Sequence, residues 1–245
     1  MTPGSAGIVL GGGLVAGAIN SIAGGGTLLS FPALIALGRD PLLANATNAV
    51  GLCTGSLASA YGFRHHIPQV RHRLPALLLL PLVGSIAGAV LLILTPSETF
   101  AVLIPYLILS ATVLFAVQEP LGRAKAAPAF LAWPLLFGIG VYGGYFGAGI
   151  GILLLATLGM LGLTDIHEKN VVKNLIAAGI NAVAAAIFAG RGVVLWSDAL
   201  LLGAGAIAGG YVGSRVATRL GRTFVRRAVV VIGIGLTVWY FAHPA

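Results

Sequence analysis

In a chain of 245 residues that is 58% hydrophobic and only 8% charged, the side chains able to do chemistry are few. Asn20 precedes three consecutive glycines, Gly24, Gly25 and Gly26, and Thr27 follows them. Asn45, Thr47 and Asn48 come next, within about one helical turn of each other. In the second half Gly147, Gly149 and Gly151 alternate through the run YFGAGIG, and Lys173 and Asn174 follow at some distance. These types suit recognition of an anion rather than bond-making. Glycine lets a ligand approach the backbone closely. A helix that starts at such a break presents unsatisfied N–H groups and the positive end of its dipole. Asn and Thr add neutral donors, and Lys173 adds positive charge towards the same cavity. The candidate substrate contacts are therefore Asn20, Gly24, Gly25, Gly26, Thr27, Asn45, Thr47, Asn48, Gly147, Gly149, Gly151, Lys173 and Asn174.

Other readings of the same residues stand open. The glycine run also suits a tight turn or a packing notch. Asn48 and Asn174 also suit interhelical hydrogen bonding, worth about 0.6 kcal/mol on average in membranes, and Lys173 could snorkel to an interface. Enzyme chemistry has no support: there is no Ser/His/Asp set, no pair of carboxylates and no phosphate loop of the GxxxxGK type. The single cysteine, Cys53, excludes an internal disulfide and a multi-cysteine metal site. His65, His66 and His72 have no Cys or carboxylate near them in sequence, so neither metal nor cofactor is expected. The six acids all stand at element ends, and a proton relay normally shows an intramembrane carboxylate. Asp165 and Glu168, with His167, are the nearest to one.

The elements that must position these residues are apolar. Soluble domains carry roughly 25% charged residues, so this composition is that of an integral membrane protein. The net charge of +8 sits in short loops, as the cytoplasmic bias of Lys and Arg predicts, and no basic face studded with aromatics exists for nucleic acid. No cation precedes Arg39, so the first ten residues read as the opening turns and not as a secretory leader. Residues 11–38 are apolar but broken by glycine, with arms at 6–22 and 27–37. Each arm is at or below the roughly 17–25 residues of a full crossing. Backbone broken at membrane depth must be packed inside protein or line a polar cavity, so a broken or re-entrant hairpin is expected. Spans follow at 43–63, 74–94 and 99–117. A polar stretch then leads to a second glycine-broken element at 130–163 and spans at 170–189, 199–218 and 225–241. Sliding the chain on itself by 125–126 residues pairs Gly24 with Gly149, Gly26 with Gly151 and Asn48 with Asn174. The expected fold is an all-α polytopic membrane protein of two inverted repeats, 1–117 and 130–245, each a glycine-rich hairpin followed by three transmembrane helices, joined by a cytoplasmic linker at 118–129.

Charge placement carries the inversion. The basic loop of the first half, with Arg64, Arg71 and Arg73, joins its first two spans, and the corresponding loop of the second half has only Arg191, opposed by Asp198. The basic turn of the second half, with Arg215, Arg219, Arg222, Arg226 and Arg227, joins its last two spans. The bias has switched loops, which predicts opposite orientations. With these loops and the linker inside, the crossings close only if each broken element is a hairpin. Both termini are then on the non-cytoplasmic side.

Residues 17–48 carry the AGGG run, the Thr-Leu-Leu after it, Pro32 and the Ala-Thr-Asn ending at Asn48, in that order. This resembles the sulfite exporter TauE/SafE family of membrane permeases, and residues 138–174 resemble the family's second copy, so that the likeness covers about 6–241. There the copies part: VVKN stands in place of Ala-Thr-Asn, and Thr157 in place of the proline. The resemblance implies a bundle of two homologous four-element halves. It also implies movement of small sulfur-containing anions such as sulfite, thiosulfate or organosulfonates of the sulfoacetate type. The resulting expectation is a secondary anion transporter of a bacterial inner (plasma) membrane, working by alternating access, with the lipid bilayer and a homo-oligomer as its partners. A non-transporting membrane assembly partner is the alternative.

Overall fold

A computed structural model describes residues 2–117, 128–216 and 222–242. The expected linker thus lies almost wholly outside the described residues, as do Arg219 and the side chains of Arg222 and Arg226. Among the described residues the chain is all helix, without strands.

Local signals set the helix ends. α1 (Pro3–Ile22) begins behind Thr2, whose hydroxyl accepts the Ser5 N–H, and stops at Ala23 where the glycines begin. α2 (Thr27–Ala36) follows with Pro32 inside it. It folds back along α1, so that Gly12 lies against Ala33. α3 (Pro41–Gly62) starts at Asp40, whose carboxylate accepts the Leu42 and Leu43 N–H groups, with Pro41 at the first helical position. A short α4 (Ile67–Val70) sits in the basic loop, and α5 (Leu74–Leu94) and α6 (Ser97–Ala116) complete the first half. The second half runs α7 (Ala132–Tyr145), α8 (Ile150–Met160), α9 (Ile166–Gly190), α10 (Trp196–Val216) and α11 (Arg222–Ala242). Asp165 caps α9 through the His167 and Glu168 N–H groups, as Asp40 caps α3.

α1, α5, α6 and α9 are long and apolar enough to cross a membrane. With 20 residues α1 reaches crossing length, whereas α7, with 14, stays below it. α3 is as long but too polar for that class, because Asn45, Thr47, Asn48, Ser56 and Ser59 along it are buried in protein. The exposed surfaces of α5 and α6 instead carry Leu79, Val83, Val90, Leu94, Val102 and Tyr106. Lipid tolerates such a surface, and water does not.

The halves exchange partners. α1 packs on α10, and α7 packs on α5, in both cases backbone to backbone. A side chain at Gly17 would overlap the Ala206 carbonyl, and one at Gly209 the Leu14 carbonyl. On the other pair, one at Gly140 would overlap the Pro81 carbonyl, and one at Gly84 the Phe137 carbonyl. Small residues let helices approach this closely in a bilayer. α3 and α9 lie between these pairs against each other, and α6 pairs with α11. This places both glycine breaks at the centre, flanked by α3 and α9.

Candidate functional site

The two breaks close their first arms in the same way and then diverge, Gly26 taking helical φ −56° before α2 and Gly149 left-handed φ +78° before α8. After α1, the Ala23 and Gly24 N–H groups both donate to the Ile19 carbonyl, and Gly24 turns to φ +83°. After α7, the Phe146 and Gly147 N–H groups both donate to the Tyr142 carbonyl, and Gly147 turns to φ +79°. Only glycine holds that conformation without penalty. The backbone therefore pairs Gly24 with Gly147, two residues earlier than the sequence slide does, and Gly26 with Gly149. The register is regained at α3 and α9, where the Asp40 and Asp165 caps correspond. From those caps Asn45 pairs with Asn170, Ser56 with Asn181, and Asn48 with Lys173 rather than with Asn174. One extra residue in α8 and one in the loop after it absorb the difference.

The breaks touch. A methyl group at Gly24 would overlap Cα of Gly151, and one at Gly151 would overlap Cα of Gly24. Around this contact lies a small cavity of about 10 Å³, lined by Asn20, Gly24, Thr27 and Ser56 from the first half. The second half contributes Gly147, Ile150, Gly151, Lys173, Asn174, Ala177 and Asn181. That is room for roughly one water. Seven of the thirteen candidate residues share it: Asn20, Gly24, Thr27, Gly147, Gly151, Lys173 and Asn174.

The remaining six do other things. Gly25 faces the Phe115 ring, and Gly149 faces Ala111 and Phe115. Gly26 lies against the Ala16 carbonyl and donates its N–H to Asn20 Oδ1 at 2.8 Å, so the first donor of the α2 cradle is already taken. Thr47 Oγ1 accepts the Leu195 N–H at 3.0 Å and anchors the approach to α10. Asn48 accepts from the Ser30 hydroxyl and donates to Thr27 Oγ1, holding α2 on α3. Asn45 Nδ2 donates to the Tyr145 carbonyl, the last residue of α7, at 2.8 Å.

Lys173 performs the reciprocal task. Its ammonium, on a side chain only 1% exposed, donates to the Asn20 and Ser21 carbonyls at 2.9 and 3.0 Å. These carbonyls belong to the last turn of α1, where the negative end of the helix dipole favours a cation. Each first arm is thus capped by a side chain from the other half, α1 by an ammonium and α7 by an amide. Lys173 is turned inward on α1 and does not reach an interface. Asn174 lines the same cavity, and its fully buried Nδ2 has no hydrogen-bond partner among the described residues. An unmatched buried amide donor costs about 1–3 kcal/mol, and a ligand acceptor would recover it.

Sequence reasoning missed Ser56, Ile150, Ala177 and Asn181. Three of the four had a signal: Lys173, Asn174, Ala177 and Asn181 recur at helical spacing and share one face of α9, with Ser56 as the α3 counterpart of Asn181. One ion pair crosses between the halves. Asp198, 1% exposed, is paired with Arg39, at 2.7 Å between Oδ2 and Nε and 3.3 Å between Oδ1 and a second guanidinium nitrogen.

Comparison with known proteins places this arrangement. Residues 9–240 match the family model described as sulfite exporter TauE/SafE. A "Probable membrane transporter protein" of Sinorhizobium is 31% identical over 242 residues, covering 94% of this chain and 90% of the relative. One of the same description from Haemophilus influenzae is 32% identical, covering 92% of this chain and 90% of the relative. One from Escherichia coli is 29% identical, covering 89% and 83%. No solved structure matches the chain.

Proposed function

The chain belongs to the sulfite exporter TauE/SafE family, and from that premise we propose that this multi-pass membrane transporter moves small sulfur oxyanions or organosulfonates through the cavity between its two breaks. The observation that carries the reading is the make-up of that cavity. It holds one buried ammonium, a buried amide donor without a partner, and further donors on Thr27, Ser56 and Asn181, and no carboxylate lines it. Removing an ammonium from water costs several kcal/mol, whereas a helix C-terminus returns up to about 2 kcal/mol in a partly buried setting. An anion beside Lys173 meets its ammonium and accepts from Asn174.

The volume of about 10 Å³ is too small for a sulfur oxyanion, so in this reading the structure is a contracted form of the site. Loading requires the breaks to separate. The exchanged pairs, α1 with α10 and α7 with α5, suit rocking of inverted halves about the Gly24–Gly151 contact, in the manner of alternating access. In this reading the two halves are repeats of opposite orientation in the bacterial inner membrane, with both termini outside. Gly24, Thr27, Gly147, Gly151, Lys173 and Asn174 contact the substrate. Asn20, Gly26, Asn45 and Asn48 hold the breaks in shape.

The test is flux. Purified protein in proteoliposomes is expected to accumulate at least one of labelled sulfite, thiosulfate, sulfate or sulfoacetate above empty vesicles. Asn174→Ala is expected to raise KM for that anion without lowering the protein's melting temperature, since it removes an unmatched buried donor. Flux equal to that of empty vesicles for all four anions sinks the reading.

A further inference from the structure

We propose that Arg64 and Arg215 bind the phosphate of an anionic phospholipid, in a site built across the two halves where α3 and α10 end side by side. The inference goes beyond the transport reading and does not depend on it.

Packing brings the two helix ends together. A side chain at Gly51 would overlap the Leu202 side chain, one at Gly55 the Ala206 methyl group, and one at Gly62 the Ser214 hydroxyl. These contacts advance in the same direction along both helices, so α3 and α10 run parallel and finish at the same end of the bundle. There Tyr61 stands beside Tyr211, with ring centroids 6.4 Å apart and planes tilted by 31°. Each ring carries a guanidinium. Cζ of Arg64 lies 4.3 Å from the Tyr61 centroid, and Cζ of Arg215 lies 4.4 Å from the Tyr211 centroid. Arg215 is one turn past Tyr211, where side chains of a helix meet. Arg64, just beyond α3, also donates to the Tyr61 carbonyl at 3.2 Å. A ring face holds a guanidinium in place, and the N–H groups at its edge stay available to a phosphate.

The surroundings select the ligand. Neither guanidinium has a carboxylate partner among the described residues, and the exposed Arg71 and Arg73 follow in the same loop. At the other end of α10 the cation is neutralised, since Arg39 is paired with Asp198. The order of side chains along the two helices matches as well. Exposed Leu57 stands one turn before Tyr61, and exposed Ile207 one turn before Tyr211. Both helices therefore present an apolar side chain, then a tyrosine, then an arginine, the sequence met on leaving a bilayer core for its phosphates. The level fits too: α5, long and apolar enough to cross a membrane, begins at Leu74 directly after this loop. A free phosphate would use the arginines alone, whereas a phospholipid also covers Leu57 and Ile207 with its chains. An occupied site ties α3 of the first half to α10 of the second.

The test uses the full chain, delipidated in detergent, with the melting temperature as readout. Phosphatidylglycerol at roughly ten times its dissociation constant is expected to raise it by about 3–6 °C. Phosphatidylcholine and inorganic phosphate at the same concentration are expected to leave it where it is. The double variant Arg64→Gln with Arg215→Gln is expected to melt like wild type in phosphatidylcholine and to lose the phosphatidylglycerol shift. The double variant Arg71→Gln with Arg73→Gln is expected to keep it. If the first double variant fails to fold, the two single variants are read instead, each expected to lose a large part of the shift. No shift in wild type, or a full shift without Arg64 and Arg215, overturns the proposal. Equal loss in the Arg71 and Arg73 variant overturns it in favour of an unspecific basic surface, and an equal shift with inorganic phosphate overturns it in favour of a free anion.

Discussion

The break after α1 and the break after α7 close their first arms alike and differ in chemistry. Each turns through a glycine with positive φ, and each closes its first arm with paired N–H donors to one carbonyl. Yet the α1 end is capped by the Lys173 ammonium and the α7 end by the Asn45 amide. The two turning glycines also differ in room: Gly24 abuts Gly151 of the other break, whereas a methyl group at Gly147 would meet only the Gly143 carbonyl, at 3.1 Å. A shared closure with unequal caps lets one end of the cavity differ electrically from the other.

The largest effect expected from breaking this comparison is at the glycines. Gly24→Ala forces a side chain both into positive φ and onto Cα of Gly151, and no folded, transporting protein is expected. Gly147→Ala carries mainly the backbone penalty, about 1–2 kcal/mol, and is expected to lower the melting temperature while preserving measurable flux. Equal loss in the two variants, measured by thermal unfolding in detergent and by vesicle uptake, would erase the distinction.

The next effect is at the caps. Lys173→Ala is expected to reduce anion transport about tenfold or more, equivalent to at least ~1.4 kcal/mol of lost stabilisation, and Lys169→Ala about twofold or less. Asn45→Ala removes a neutral bond worth about 1 kcal/mol and is expected to lower stability while leaving most transport. Equal uptake rates in Lys173→Ala and Lys169→Ala would show that the charged cap is architecture alone.

A smaller effect is expected at the ion pair that ties the end of the first hairpin to α10. Arg39 is 30% exposed and Asp198 only 1%, so the partners are unequal. Arg39→Ala strands a buried carboxylate and is expected to cost about 1–3 kcal/mol. Asp198→Asn leaves a guanidinium that water can reach, and the melting curve should move less. The reverse order would mean that Asp198 finds another partner.

The last prediction leaves activity untouched and tests orientation. Single cysteines replacing Gln69 and Thr223, in a Cys53→Ser background, are expected to react only from the cytoplasmic side. Labelling of either one from outside refutes the inverted arrangement of the halves.

Much of the architecture was legible in the chain. The glycine interruptions, the Asp40 and Asp165 caps with the helices behind them, and the membrane class all follow from composition and from residues within a few positions of each other. The site was legible in part. Asn20, Thr27, Lys173 and Asn174 were found because polar groups are scarce in an apolar chain. Thr47, Asn45 and Asn48 were found by the same signal, and the structure gives them to neighbouring backbone and side chains instead. The slide placed the second break correctly but paired it with the first break two residues late, because identity matching rewards aligned glycines, and glycines are everywhere in this sequence. The hydrogen-bond pattern, which does not depend on residue identity, shows the two-residue offset.

What the sequence by itself determined, then, is where helices start, where they break and that they sit in lipid, since hydrogen bonding within about four residues and the cost of exposing apolar surface settle those matters. Only the tertiary structure decided that Gly24 meets Gly151, that Lys173 closes the end of α1, and that Asp198 belongs to Arg39. Each of these joins residues more than a hundred positions apart. Which face of α3 or α9 turns inward is set by how closely the small-residue stripes let the helices approach, a property of the assembled bundle and of no single segment.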